Sequence, residues 1–169
     1  MKIKILVLLL ITSFGVKGQE KWIEYKKYNY QTEYPQSWTL SDAKSTGSAF
    51  VMLSPIEKNE TFRENINLNV SFLEGGKVTL EAYKTLSLEK IKNMLPNVTI
   101  LEDKTVKKGA NKYQVIIWTG KVGNMSLKVK QHLYVKDNKA YSLSYSATKE
   151  SFKRFETTAN RILNGFIVN

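Results

Sequence analysis

The sequence predicts an α+β fold in which an antiparallel β-sheet is flanked by helices. Three observations favour it: segments in which apolar and polar residues alternate, short turn sequences between these segments, and two segments with helical spacing. Alternation is typical of strands with one buried face, and short turns favour antiparallel pairing. The helical segments carry apolar stripes that need a sheet to pack against.

The clearest predicted strand covers residues 65–72, where Ile66, Leu68, Val70 and Phe72 share one face. The same period of two returns in three later segments, at residues 113–117, 125–133 and 141–147. Gly123-Asn124 and Asp137-Asn138 separate them, so we expect an antiparallel meander of hairpins. Further strands are expected at residues 30–34, 48–53 and 98–106.

Two helices are predicted from their apolar stripes and terminal residues. Thr79 is placed to cap the first, and Pro96 to stop it. Thr148 is placed to cap the second, which Gly165 ends. Neither an internal repeat nor a linker is visible, so residues 19–169 are expected to form one domain.

Residues 1–18 have the pattern of a secretory signal peptide, with Lys2 and Lys4 before an apolar run and Val16-Lys17-Gly18 at the expected cleavage site. The run is shorter than the ~20 apolar residues of a membrane span. We therefore expect cleavage before Gln19 and a secreted or periplasmic protein without a transmembrane segment in its mature chain.

Net charge is concentrated in one segment of the mature chain. The full sequence has a formal charge of +11, and loss of the leader's three lysines leaves +8. Between residues 104 and 139 one acid, Asp137, stands against nine lysines: Lys104, Lys107, Lys108, Lys112, Lys121, Lys128, Lys130, Lys136 and Lys139. The rest of the mature chain is balanced.

The sequence also resembles the PsbP-like family. The resemblance rests on Tyr34-Pro35-Gln36-Ser37-Trp38 after a strand, on the strand and turn from Phe50 to Pro55, and on the segment from Phe62 to Leu68. It extends from about Tyr28 to Ile167. This family includes an extrinsic photosystem II subunit and its bacterial secreted relatives, among them DcrB-like proteins. The resemblance implies an α/β/α sandwich on an antiparallel sheet and an accessory, non-enzymatic role.

No catalytic constellation is visible. The chain has no Cys and a single His, His132, without an acid in the same strand to orient it. Glu102 and Asp103 are neighbours in a strand and point to opposite faces. Gly75-Gly76 lacks the Lys and Ser/Thr of a phosphate loop and is read as a turn. We expect no cofactor and no metal, because a zinc or calcium site needs clustered ligands.

The candidate interaction surface is a lysine-rich sheet face. Alternation places Lys128, Lys130, His132 and Tyr134 together, and gives Lys112 and Trp118 the outward side of the preceding strand. Such a face could bind an unknown protein or an anionic envelope component. Nucleic acid is the weaker candidate, because the mature chain has three Arg, all outside the basic segment.

Other interpretations stay open. The lysines could instead protect strand edges and maintain solubility, or extend past a covering helix from the end of the chain. A hydrolase or small-ligand-binding enzyme with a loop-assembled site around His132 would show a deep pocket there. A structural subunit of an envelope complex would show an exposed apolar patch.

Overall fold

A computed structural model of the protein describes residues 20–41, 47–58, 60, 62–73, 78–95, 97–109 and 111–169. The expected signal peptide, the turn at Gly75-Gly76 and the helix stop at Pro96 lie outside the described residues. In the described part of the chain, the elements follow one another as β1 (Trp22–Lys27), β2 (Tyr30–Pro35), β3 (Thr39–Ser41), β4 (Phe50–Leu53), β5 (Asn65–Phe72), α1 (Leu80–Met94), β6 (Thr99–Lys108), β7 (Asn111–Val122), β8 (Met125–Lys136), β9 (Lys139–Thr148), α2 (Phe152–Gly165) and β10 (Ile167–Val168).

Seven strands form one antiparallel sheet in the order β3-β4-β5-β9-β8-β7-β6, and a smaller sheet has the order β1-β2-β10. The helix α1 packs on one face of the large sheet, against β7 and β8. The helix α2 packs against β9 of the large sheet and β2 of the small one. The predicted α/β/α sandwich on an antiparallel sheet is confirmed.

The predicted meander is confirmed as β7, β8 and β9, which pair in sequence order. Its second turn contains Asp137 and Asn138, both with positive φ, as a tight two-residue hairpin requires. Predicted β5 has the expected bounds, and Ile66 and Leu68 are fully buried. Phe72 is the exception on that face, since it is 76% exposed.

The first helix begins as predicted. The Thr79 hydroxyl accepts a hydrogen bond from the Ala82 N–H at 3.1 Å. The prediction for the second helix is wrong by one turn, because Ser151 flanks its start and Thr148 accepts from the Ser151 N–H at 3.1 Å instead. Thr148 therefore stabilises the turn that leads into α2.

The core on the α2 side is rich in aromatic side chains. Trp38, three residues after the end of β2 at Pro35, packs edge-on against Phe155 at 5.8 Å between ring centroids. Phe166 follows α2 and packs on Tyr30 and Tyr134 at 5.8 and 5.3 Å. The smaller core under α1 consists of Ile91, Ile116, Trp118, Val129 and Leu133. The central strands of the large sheet are consequently covered on both faces.

Candidate functional site

The structure brings four of the six candidate residues together and separates the other two from them. Lys128, Lys130, His132 and Tyr134 share the face of β8 that looks toward α2, beside Tyr113, Val115 and Ile117 of β7. Trp118 pairs with Val129 in the register and lies on the opposite face, under α1. Lys112 has the same parity as Trp118. The expectation of one face with all six residues is therefore wrong.

Trp118 is a core residue and is 8% exposed. Its indole N–H donates to the Gln131 Oε1 at 3.0 Å, and the Gln131 amide donates to the Ser144 Oγ at 3.0 Å. This relay crosses from β7 through β8 to β9. The alternation of β7 places Trp118 on the side opposite Tyr113, Val115 and Ile117, and the sequence interpretation expects that side to face solvent. In the structure α1 covers it.

His132 and Tyr134 are also buried, at 1% and 5% exposure. The imidazole lies 4.9 Å from the Tyr113 ring, between centroids, and its Nδ1 is 3.4 Å from the Tyr134 hydroxyl. Burial, followed by the Lys130 charge, lowers the pKa of His132 to about 3. A substrate could reach this ring only if the packed side chains moved, so the deep open pocket expected of a His132-centred enzyme is absent from the described residues.

Lys128 and Lys130 are half-buried beside α2. The Lys128 Nζ lies 4.1 Å from the centroid of the Phe152 ring. Lys130 donates to the Asn160 Oδ1 at 2.8 Å. Burial lowers the pKa of Lys130, and the carboxylates of Glu102 and Glu156 oppose this effect. The two lysines thus extend past a covering helix, as one sequence interpretation anticipated, and have partners within the protein.

Five of the other seven lysines of the segment gather at one end of the sandwich, whereas Lys104 lies within β6 and Lys121 near the far end of β7. Lys107 and Lys108 end β6, Lys112 begins β7, and Lys136 and Lys139 flank the β8–β9 turn. Gln114 pairs with Leu133, which places the start of β7 beside the end of β8. Neighbouring strands lie about 4.8 Å apart, so these side chains form a row across four adjacent strand ends.

The β1–β2 turn meets the same end of the molecule and adds Lys26 and Lys27. We call this set the lysine-rich end: Lys26, Lys27, Lys107, Lys108, Lys112, Lys136 and Lys139. Asp137, in the β8–β9 turn, is an acidic residue next to these lysines. Lys108 donates to the Asn164 carbonyl at 3.1 Å and Lys136 to the Val168 carbonyl at 3.2 Å. Both acceptors are neutral carbonyl oxygens of the main chain.

Like charges are paired directly across strands at this end. Lys107 lies opposite Lys112 in the β6–β7 register, and Lys136 lies opposite Lys139 in the β8–β9 register. Like charges directly opposite each other destabilise a sheet. Two such pairs on neighbouring hairpins are poorly explained by stability alone.

Exposed aromatic side chains lie beside these lysines. Tyr28, in the β1–β2 turn, is 99% exposed, and Phe72 ends β5 opposite Lys139. Tyr28 and Phe72 line one open cavity of about 410 Å³ together with Val70, Lys139 and Tyr141. The Lys139 Nζ lies 5.4 Å from the Phe72 ring centroid. This cavity therefore has aromatic walls and a cationic rim.

The opposite end of α2 has an acidic character. A cavity of about 290 Å³ is lined there by Glu57, Glu60, Glu64 and Arg154, among others. Glu64 is fully buried and accepts from the Ser54 hydroxyl at 3.1 Å. Burial is the main cause that raises the pKa of Glu60. Within the described ranges, no group of three or more His, Asp or Glu side chains is arranged to hold a metal ion.

Comparison with solved structures decides the fold. Cyanobacterial PsbP from Synechocystis sp. PCC 6803 matches with a TM-score of 0.66 at 15% identity, over 94% of this chain and 99% of that one. LpqN of Mycobacterium tuberculosis, described as involved in cell envelope biogenesis, matches with a TM-score of 0.70 at 14% identity, over 89% and 91% of the two chains. The chain has a PsbP-like fold. This result confirms the resemblance noted from the sequence.

The PsbP-like fold extends to a Pseudomonas aeruginosa protein of unknown function, PA94, with a TM-score of 0.57 at 11% identity over 80% of this chain and 89% of that one. No family model and no curated protein match the sequence. Across the described residues, no helix is both long enough and apolar enough to span a membrane. At these identities the neighbours establish the architecture alone.

Sequence reasoning missed two contributors to the surface that this chain presents on its PsbP-like fold. Tyr28 lies in a turn between strands, the first of which was not predicted, and Phe72 was counted with the buried face of β5. The sequence does hold one signal for both, since each aromatic residue is close to a lysine-containing turn when the strands are paired in the correct register. That pairing needs the register, which alternation alone does not supply.

Proposed function

We propose that this protein is a secreted, non-catalytic binding module that attaches to an anionic partner through the lysine-rich end. The observation that carries the proposal is that lysines occupy opposite register positions on two neighbouring hairpins, Lys107 with Lys112 and Lys136 with Lys139. Such a concentration of positive charge attracts an anionic partner, which would be held by several lysines at once.

The location of the charge also supports the proposal. Lys128 and Lys130, the centre of the surface expected from the sequence, are engaged by α2, whereas Lys26, Lys107 and Lys112 are exposed. Long-range attraction acts through exposed charges, and it weakens as salt shortens the screening length to about 8 Å at physiological ionic strength. The proposed site therefore lies at the ends of the hairpins and not, as the sequence predicts, in the middle of β8.

A non-catalytic role is consistent with the buried position of His132 and with the PsbP-like architecture. A secreted location is supported by the leader-like residues 1–18 and is compatible with LpqN, a structural neighbour described as involved in cell envelope biogenesis. Partners of the lysine-rich end would then be anionic components of the envelope or proteins with acidic surfaces.

Charge reversal with a matched control tests the proposal. The variant Lys107→Glu/Lys112→Glu changes two exposed residues of the lysine-rich end, and Lys121→Glu/Lys149→Glu changes two exposed residues elsewhere by the same net charge. Heparin, a soluble polyanion, serves as the probe in salt elution. We expect the first variant to elute at a clearly lower salt concentration than both the wild type and the control. Equal elution of the two variants would show that only net charge matters and would refute the proposal.

A further inference from the structure

The exposed aromatic residues have no role in binding a purely electrostatic partner. Tyr28 and Phe72 protrude at the lysine-rich end, on either side of the 410 Å³ cavity. Exposed apolar groups that lie together inside a polar rim mark interaction sites on soluble proteins. Their neighbours Lys26, Lys27 and Lys139 are cationic, which restricts what that cover can be.

Lipid headgroup regions match this combination. Aromatic side chains concentrate at membrane interfaces, where the ring contacts the acyl boundary, and lysines beside them contact anionic headgroups. The lysine-rich end provides both kinds of group on one side of the molecule, because Phe72 pairs with Lys139 and Tyr28 follows Lys27 directly. The row of lysines over β6–β9 extends the cationic area beyond the aromatic pair.

We propose that the lysine-rich end, with Tyr28 and Phe72 at its tip, docks peripherally on an anionic lipid bilayer. This inference rests on the proposed function and assigns its partner. The two rings enter the interfacial region of the bilayer and the lysines contact lipid phosphate groups. The hairpin end of the sandwich therefore faces the membrane. This docking explains why the apolar face of β5 continues past the core to Phe72, which no other part of the described structure covers.

The charge distribution favours a lipid surface over a folded acidic protein. Tyr28 lies in a turn of the small sheet and Phe72 ends a strand of the large one, and the lysines around them lie at three different turns. Groups spread over so many elements fit a planar, laterally fluid array of phosphates, which requires no complementary shape. Each lysine near an anionic membrane contributes about 1 kcal/mol, which corresponds to about fivefold in affinity.

Vesicle sedimentation tests the inference with the full protein. Vesicles of phosphatidylcholine with about one third phosphatidylglycerol are compared with pure phosphatidylcholine. We expect binding to the anionic vesicles only, and loss of about tenfold or more in affinity for Tyr28→Ser/Phe72→Ser. The control Ile56→Ser/Leu86→Ser removes two exposed apolar side chains at other places and should bind as the wild type does.

A second readout distinguishes this inference from the proposed function. Tyr28→Ser/Phe72→Ser keeps every lysine, so its elution from heparin should equal that of the wild type. The membrane inference is wrong if the wild type is retained on heparin but does not bind anionic vesicles. It is also wrong if Tyr28→Ser/Phe72→Ser binds the vesicles as tightly as the wild type does. In either case an acidic protein becomes the better partner. If Lys107→Glu/Lys112→Glu leaves heparin elution unchanged relative to its control, the proposed function itself fails.

Insertion of Phe72 can be followed directly. In a Phe72→Trp variant, we expect extra tryptophan emission that is quenched by lipids brominated on their acyl chains. A Leu86→Trp variant, with its probe on α1, should show no such quenching. Equal quenching of both variants, or none in Phe72→Trp, would overturn the proposed orientation.

Discussion

The Lys128 ammonium lies 4.1 Å from the centroid of the Phe152 ring at the first turn of α2. This contact joins β8 to the helix that covers it, and a partly desolvated cation–π pair contributes about 1–2 kcal/mol. Lys128 is therefore tied to the stability of the fold.

Removal of the Lys128 charge should lower stability and leave anion binding nearly unchanged. We expect Lys128→Met, which keeps the aliphatic stem, to reduce the free energy of unfolding by about 1 kcal/mol. Urea denaturation provides the measurement. Lys121→Met, in the exposed end of β7, is the matched control and should stay within about 0.5 kcal/mol of the wild type. A large drop in heparin affinity for Lys128→Met would contradict the assignment.

Acidification should destabilise the protein through His132. Its pKa is lowered to about 3 in the folded state by burial and by the Lys130 charge, with a smaller contribution from Lys104. The ordinary value is about 6.5, so the unfolded chain binds a proton between these values and the folded chain does not. Stability is therefore lost as pH falls from about 6.5 toward 3, by about 2 kcal/mol at pH 5 relative to pH 7.

Comparison with His132→Gln isolates this effect from titrating carboxylates. The drop in unfolding free energy between pH 7 and pH 5, measured by urea denaturation, should be smaller by about 2 kcal/mol in the variant. Identical pH dependence of the two proteins would mean that folding does not lower the pKa of His132.

The hydrogen-bond relay from Trp118 through Gln131 to Ser144 should be important for stability. Replacing Gln131 with Leu leaves the buried indole N–H without its acceptor. We expect a loss of about 1–3 kcal/mol, because an unsatisfied buried donor costs its full desolvation energy. Gln36→Leu, at an exposed turn position, is the control and should change little. Thermal unfolding followed by circular dichroism would detect the difference.

Phe166 should be one of the most sensitive positions in the chain. It contacts the rings of Tyr30, Tyr134 and Tyr141, and so links the two sheets just after α2. We expect Phe166→Ala to cost about 3–5 kcal/mol, and Phe166→Leu considerably less, since Leu fills much of the same space. Ile167→Ala removes a more exposed neighbour and should cost under about 1 kcal/mol by urea denaturation.

Local patterns predicted most of the strands and helices, because alternation and capping depend on neighbouring residues. The bounds of β5 and the Thr79 cap are examples. Alternation also grouped Lys128, Lys130, His132 and Tyr134 on one face correctly. It could not show that α1 and α2 cover both faces of the central strands, so Trp118 and His132 were expected at the surface. Coverage is set by tertiary packing, which a periodic pattern does not report.

The candidate site moved for a related reason. Net charge by segment pointed to residues 104–139, and that concentration is real. Some lysines of this segment pack against α2 in the middle of β8, and others are exposed near the turns. Which lysines are covered depends on the position of α2. The contribution of Tyr28 and Phe72 required the relative placement of two sheets, and the sequence signals for β1 and β10 are weak.

The pairing of β10 with β2 has a consequence for the order of folding. Val168 aligns with Tyr30, and Ile167 with Gln31, so the small sheet closes through residues from nearly opposite ends of the described chain. During synthesis, β2 can pair with β1 long before β10 exists, and one of its edges then stays open. Contacts of such long range form slowly. The β1–β2 hairpin accordingly keeps an unpaired strand edge, which favours aggregation, until residue 168 has been made.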